Sequence, residues 1–421
     1  MSLEPWTFHP PASEPIGDHA VPRVSDHLLG RRIALVVCGS IAAYRTPDLA
    51  RALRRRGAEV TAFCSPEALR YVGRQALEWA TCRPLVTRLS WRAEHLADAE
   101  PFDAWLVAPA TANTIAKLAS GIADTVVTAA LAAALGRLER GLTQLLVAPT
   151  LHGCLHTSVL EGQVRRLDQL GVRFIAPRDA YGKHNLPDSE LIVAVVARVL
   201  ARGPLRGQRI LVTGGPTPVP IDRVRRLVNR FSGRLAIAVA EDLLLRGAHV
   251  ELLLGDGAVA PPAWIPFSPV ASYDAYRDQV LALAPQLAAA VCSAGVADYR
   301  PSQPVVGKIA SGQPGLQLHL EPTPKVIDEL RAQAPQLPIV AFKYEEETEL
   351  EPLLALARAR LDHYPLVVAN RGVETHGHQQ TAWLVSRTGE RRVEGKPAIA
   401  AAIGDQLEQW LGEGELPATA R

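Results

Sequence analysis

Two matching pentapeptides, Arg56-Gly-Ala-Glu-Val60 and Arg246-Gly-Ala-His-Val250, constrain the fold most, because each closes the same succession of patterns. Before the first, residues 33–37 are continuous and apolar, Cys38-Gly39-Ser40 turns, and residues 41–56 carry apolar side chains at Ile41, Leu49 and Leu53. Gly57 stops that helix and residues 59–63 resume a strand. Before the second, an apolar run at 209–213 feeds Gly214 and Gly215, and an amphipathic helix is predicted after Gly233. Strand, helix and strand in succession imply a parallel sheet with right-handed crossovers. The chain therefore reads as α/β, with two doubly wound halves.

Its 421 residues exceed what one core usually organises, in keeping with two domains. The glycine-containing stretch Ala201-Arg-Gly-Pro-Leu-Arg-Gly207 places the cut between 203 and 204. Residues 1–30, with Pro10, Pro11, Pro15 and Pro22, read as an irregular arm without chemistry of its own. That leaves domains over 31–203 and 204–421.

A formal net charge of +2 gives no basis for binding nucleic acid. No apolar run reaches the roughly 18 residues of a membrane span, and the start of the chain lacks the pattern of a secretory signal. Five scattered cysteines, at 38, 64, 82, 154 and 292, form no CxxC pair. Reduced thiols in a cytoplasmic protein are expected from that spacing, not disulfides or a zinc site.

In open parallel sheets, ligands bind beyond the carboxyl ends of the strands. Three such ends in the first half carry small and hydroxylated residues. Gly39, Ser40 and Ile41 follow the first strand, Ser65 the second, and Ala108, Thr111, Asn113 and Thr114 the third. Small residues let a flat ring approach the backbone while hydroxyls and a helix N-terminus hold phosphate. A plain helix cap would also account for serine at position 40.

In the second half, the turn at Gly214 and Gly215 is followed by an insertion longer than the two to six residues typical of a βα connection. That insertion holds Asp222, Arg225, Asn229, Ser232 and Gly233, and reads as a substrate-binding segment. Further on, Cys292-Ser-Ala294-Gly-Val-Ala-Asp298 puts small residues and then an acceptor at a strand end, as contact with a nucleotide base or sugar requires. Lys308 lies in a glycine-flanked segment, and Lys325, Phe342 and Lys343 follow in short motifs. Either lysine, 325 or 343, could touch phosphate or merely face solvent.

Ile221-Asp222 through Gly233 resembles the signature of phosphopantothenate-cysteine ligase. Residues 31–412 as a whole resemble the bifunctional family in which that ligase follows a flavin-dependent phosphopantothenoylcysteine decarboxylase, closest to its archaeal-type branch. The resemblance implies a flavodoxin-like flavoprotein domain followed by a Rossmann-like nucleotide-binding ligase domain. It implies FMN in the first crevice, and 4'-phosphopantothenate, cysteine, CTP and Mg2+ in the second, with no metal ligands assigned. It also implies a homo-oligomer.

By the same resemblance, His95 handles the proton of the substrate thiol or carboxylate, and His152 takes the place of an asparagine that holds the substrate carboxylate. Asn229 holds the acyl-nucleotide, and Lys308 lies over the nucleotide phosphates. The chain departs from the common pattern in three places. No cysteine lies between 177 and 191, which leaves Tyr181, His152, Cys154 or an ordered water as proton source. Arg371 stands where an aspartate is usual, and Arg358 and Asp362 stand where a lysine pair is usual, so phosphate contacts must be partly rebuilt. A ligase with a silent flavin domain and a flavoprotein scaffold are the competing readings.

Overall fold

A computed structural model describes residues 16–96, 101–312, 315–376 and 379–413, so residues 1–15 of the arm lie outside the described residues. The chain separates into two compact units, Met1–Leu200 and Ala201–Arg421.

The first unit is built on five parallel strands: β1 (Arg32–Val37), β2 (Glu59–Cys64), β3 (Ala104–Ala110), β4 (Gln144–Pro149) and β5 (Arg173–Phe174). Their order is β2-β1-β3-β4-β5, with every pairing parallel. This is the flavodoxin-like order. Both faces of the sheet are covered, so β3 is buried along its whole length. Phe63, Phe102 and Trp105 pack edge-on or tilted within one core, with Trp105 5.0 Å from each of the other two ring centroids.

The single helix predicted over 41–56 is divided in two. A 3-10 turn, Ile41–Arg45, is capped by Ser40, and α1 (Thr46–Arg55) starts afresh with Pro47 in its first turn. Proline lacks the N–H that a continuing helix would need but fits a new first turn. The helices around the sheet are α2 (Arg74–Thr81), α3 (Ala112–Ser120), α4 (Val126–Glu139), α5 (Ser158–Gln169) and α6 (Ser189–Leu200).

The second unit carries a nine-stranded sheet. Its parallel part comprises β6 (Arg209–Gly214), β7 (His249–Gly255), β8 (Ser268–Val270), β9 (Ala289–Cys292), β10 (Ile339–Glu345) and β11 (Leu366–Arg371). The order β8-β7-β6-β9-β10-β11 is that of the dinucleotide-binding doubly wound fold, with the reversal between β6 and β9. Two antiparallel strands, β12 (Gln379–Ser386) and β13 (Gly389–Glu394), and the short Thr375–His376 complete the far edge.

Strand alternation sends Ile210 and Val212 of β6 into the core beneath α7 (Arg234–Leu245) and α11 (Lys396–Glu413). Leu211 enters the opposite core, with α8 (Tyr273–Leu283), α9 (Val326–Gln333) and α10 (Leu350–Arg358). Arg246, at the end of α7, pairs with Asp242, Asp405 and Glu408 at 2.7–2.8 Å and so ties α7 to α11. Among the described residues no helix is long and apolar enough to cross a membrane.

Candidate active sites

In the first unit the mouths of β1, β2, β3 and β4 are stitched together. Ser65 N–H donates to the Val37 carbonyl at 3.1 Å, and Thr150 N–H to the Ala110 carbonyl at 2.9 Å. Cys38 is buried at the end of β1. A Cβ on Gly39 would lie 2.6 Å from that of Glu67, so only glycine allows the β1 and β2 turns to approach this closely.

Three of the four predicted hydroxyls cap turns. Ser40 Oγ accepts from Ala42 N–H at 3.3 Å, Ser65 Oγ from Ala68 N–H at 3.2 Å, and Thr111 Oγ1 from Thr114 N–H at 3.3 Å. The cap and the ligand seat are compatible, because a capping oxygen keeps its own O–H proton to donate to an anion. Ala108 and Thr114 are buried, Thr111 is half-buried, and Ile41 and Asn113 are exposed.

His95 stands in the turn before β3, where Glu94 accepts hydrogen bonds from Ser90 N–H at 3.0 Å and from Ser90 Oγ at 2.5 Å. Among the described residues, His95 Nδ1 is buried with no hydrogen-bond partner, and so is Thr150 Oγ1, next to the β3–β4 mouth. A buried polar atom left unpaired costs free energy unless a ligand or water meets it. Small residues at the turns, hydroxyls at three strand ends and these two orphaned atoms fit a phosphorylated flat ring with a substrate beside it.

The chain beyond β4 forms a small antiparallel sheet from Leu151–His152, Lys183–Asn185 and Arg178–Ala180. His152 Nδ1 lies 3.0 Å from Cys154 Sγ, and Cys154 is exposed. Tyr181 is 94% exposed, in a left-handed backbone conformation (φ 55°) at the hairpin tip beside Gly182. The structure adds a chain that the sequence reading did not single out. His184 Nδ1 lies 2.6 Å from Asp179 Oδ1, and His184 Nε2 lies 3.2 Å from His156 Nδ1. The signal was an aspartate and a histidine on opposite arms of a glycine hairpin; their pairing depends on strand register.

In the second unit the glycine turn, Asn229 and the 293–298 loop form one lattice. Gly295 N–H donates to the Gly215 carbonyl at 2.9 Å, and Thr217 N–H donates to the Gly295 carbonyl at 3.3 Å. Asn229 Nδ2 donates to the carbonyls of Gly295 and Val296 at 3.0 and 3.2 Å, and Ala297 N–H donates to Thr217 Oγ1 at 2.8 Å. Gly233 caps α7 at φ 73°, and a Cβ there would lie 3.1 Å from Gly215 N. Ser232 gives its carbonyl to Val259 N–H at 3.0 Å. Thr213 and Thr217, both fully buried, are lattice members that the sequence reading passed over as strand and turn residues.

The predicted polar residues have unequal freedom. Asp222 is buried and saturated: its oxygens accept from Val224 N–H, Arg225 N–H, Arg225 Nη1 and Ile309 N–H at 2.6–3.0 Å. Asp298 pairs with Lys325, and Lys343 with Glu345 at 2.6 Å. Lys308 is exposed and has no ion-pair partner among the described residues. Phe342 is half-buried against the core of β6 and α7; Ala294 N–H donates to Thr213 Oγ1 at 3.3 Å. Arg358 is held by Glu351 and Glu390, and Arg371 by Glu374, so these departures from the usual pattern are neutralised locally.

A flavoprotein family model matches residues 22–201, and the model for the DNA/pantothenate metabolism flavoprotein C-terminal domain matches residues 205–411. The chain is 35% identical over 401 residues to the coenzyme A biosynthesis bifunctional protein CoaBC of Thermococcus kodakarensis, covering 92% of this chain and 97% of that one. The CoaBC protein of Bacillus subtilis is 31% identical over 362 residues, covering 82% and 86% respectively. Among solved structures, the C-terminal domain of a CoaBC protein covers 50% of this chain and 100% of its own, at 26% identity and a TM-score of 0.42. From its two matched domains and its full-length relatives, the chain belongs to the family of bifunctional coenzyme A biosynthesis proteins, which join a decarboxylase to a ligase.

Proposed function

We propose that the second unit joins 4'-phosphopantothenate to cysteine at the expense of CTP, and that the first unit decarboxylates the product to 4'-phosphopantetheine. The observation that carries this reading is the lattice joining Gly215, Asn229 and Gly295 at the β6–β9 reversal, where doubly wound sheets bind nucleotides.

A carboxylate is a poor electrophile, so its oxygen first attacks the α-phosphorus of CTP, and the bond to the departing pyrophosphate breaks. Cysteine's amine then adds to the acyl carbon and loses its proton. The acyl–oxygen bond breaks, which yields the amide and CMP. Asn229, its amide N–H groups fixed on two carbonyls, keeps Oδ1 to orient the acyl-nucleotide. The Lys308 ammonium, without an ion-pair partner among the described residues, offsets charge developing on the leaving pyrophosphate. In this reading Arg225, paired with Asp222, and the Asp298–Lys325 pair supply further polar contacts to the substrates. Magnesium in this reading arrives on the nucleotide phosphates. Among the described residues no three His, Cys, Asp or Glu side chains are placed to hold an ion.

In the first unit, Ser40, Ser65, Thr111 and Thr114 would hold the phosphate and ribityl chain of FMN, with Gly39 and Ala108 against the ring. Bound FMN supplies reversible hydride acceptance, which makes the substrate carboxylate labile toward loss as carbon dioxide. His95, its Nδ1 without a partner among the described residues, takes the substrate proton. His152 and Cys154, 3.0 Å apart, return a proton to the carbon that carbon dioxide has left. Cys154 is favoured over Tyr181 as donor because its thiol lies 3.0 Å from the His152 imidazole, whereas Tyr181 is 94% exposed at the hairpin tip.

The test is a coupled assay on the full chain with phosphopantothenate, cysteine and each nucleoside triphosphate in turn, following pyrophosphate and carbon dioxide together. Both products with CTP are expected. A yellow protein that releases neither would leave a flavoprotein scaffold; pyrophosphate without carbon dioxide would leave a ligase with a silent first unit.

A further inference from the structure

Lys308 lies on an exposed loop, where a lysine ammonium ordinarily samples many positions at a cost in entropy when it is fixed. Yet the peptides on both sides of it are tied to the segment 221–225. Arg223 N–H donates to the Gly307 carbonyl at 2.7 Å, and Val305 N–H donates to the Ile221 carbonyl at 3.2 Å. Ile309 N–H donates to Asp222 Oδ2 at 3.0 Å, and Arg225 Nη1 donates to the Ile309 carbonyl at 3.3 Å.

Asp222 is the centre of this arrangement. Its side chain is 0% exposed, and burying a carboxylate is costly unless donors surround it. Oδ1 accepts from Val224 and Arg225 N–H, the turn that aspartate commonly makes with its own backbone. Oδ2 accepts from Arg225 Nη1 and from Ile309 N–H, 87 residues away in sequence. That last bond is no part of a local turn. The donors, Ile309 N–H foremost, outweigh the opposing effect of burial and hold the carboxyl far below the ordinary carboxylate range. No oxygen remains to face a ligand.

We infer that Asp222 is a positioning residue for Lys308: through Ile309 N–H it fixes the backbone from which the Lys308 ammonium meets the nucleotide phosphates. The inference rests on the ligase reading above. It assigns Asp222 to the support of the site, whereas the sequence pattern placed it among the substrate contacts.

Asp222→Asn separates the two halves of the carboxylate's work. The amide oxygen can stay at the Oδ1 position and keep the local turn. The amide N–H2 then points at the Ile309 N–H and the Arg225 guanidinium, donor against donor, and the Lys308 loop is released. In the full-length chain, D222N is expected to lower kcat for CTP-dependent pyrophosphate release by about a hundredfold, the cost of a small misplacement of a catalytic group, with KM little changed. In a cycle of D222N, K308Q and the double variant, K308Q should cost much less in the D222N background than alone. Trypsin should cut the substrate-free protein after Lys308 faster in D222N than in wild type. Carbon dioxide release from supplied phosphopantothenoylcysteine should be unchanged, as a control for folding of the other unit.

Wild-type pyrophosphate release in D222N, or costs that simply add in the double variant, would overturn the inference. Full activity in K308Q would instead sink the role given to Lys308, and faster tryptic cutting in D222N would then still show the clasp. Should D222N fail to fold, I309P removes the same hydrogen bond from the donor side. A wild-type kcat in I309P overturns the inference; a loss matching that of K308Q supports it.

Discussion

Asn229 reaches from the long insertion after β6 to Gly295, donating from Nδ2 to its carbonyl at 3.0 Å. The bond joins residues 66 apart in sequence and orients the amide so that Oδ1 faces away from the protein carbonyls. N229D replaces the donor with a carboxylate oxygen aimed at two carbonyl oxygens. Pyrophosphate release with CTP and phosphopantothenate is expected to fall by about two to three orders of magnitude. Asn229 is exposed, so the melting temperature should move little; an unchanged rate would remove Asn229 from the reaction.

The Cys154–His152 pair predicts a split between the two products of decarboxylation. C154A keeps the residues that hold the ring and substrate but lacks the thiol that returns a proton. Carbon dioxide should appear in a short burst and then stall, while 4'-phosphopantetheine formation drops by about a hundredfold or more. Y181F should behave as wild type. Rapid-quench measurement of both products checks this, and steady turnover by C154A would move the proton source elsewhere.

Burial raises the Cys38 thiol from 9.0 to about 11, and pushes the Cys64 and Cys292 thiols up to about 12. Cys82 and Cys154 are exposed. Alkylation of the native protein near pH 8 should therefore modify 82 and 154 and spare the other three until denaturant is added, as peptide mass spectrometry would record. Each of these three thiols keeps its proton longer when folded than when unfolded. Its contribution to stability is thus complete below about 9 and declines as pH rises through about 11 for Cys38. Unfolding in denaturant at stepped alkaline pH would read the decline, and stability that rises over this window would contradict it.

Gly233 combines a φ of 73° with close approach to Gly215 N. G233A asks an L-residue to hold a left-handed backbone, at about 1–2 kcal/mol, and presses a methyl against the glycine turn. The second unit should melt about 2–8 °C lower, and its ligase activity should fall further than its stability, because the turn carrying Gly215 is displaced. Activity that tracks stability alone would show that the turn does not touch ligand.

Much of this molecule is legible in its sequence. Apolar runs ending in Gly39 and Gly214, helices stopped at Gly57 and Gly247, and the repeated Arg-Gly-Ala-x-Val motif fix strands and helices locally, since period and turn chemistry act over a few residues. They were enough to place the Gly39 and Gly214 turns at the ends of parallel strands. One boundary was misread, because Pro47 starts α1 anew after a 3-10 turn, whereas the apolar spacing suggested a continuous helix.

What the tertiary structure alone decided is which polar groups are free. Asp222 and Lys308 look equally available in the sequence, yet one is saturated by donors 2 to 87 residues away and the other has no ionic partner among the described residues. The Cys154–His152 contact could be guessed from spacing, but the Asp179–His184–His156 chain needed the register of an antiparallel hairpin. Hydrogen-bond saturation is a property of all the donors that folding brings around an atom, and most of those donors are remote in sequence. Composition and periodicity set the frame; only three-dimensional packing determines which atoms within it remain to do chemistry.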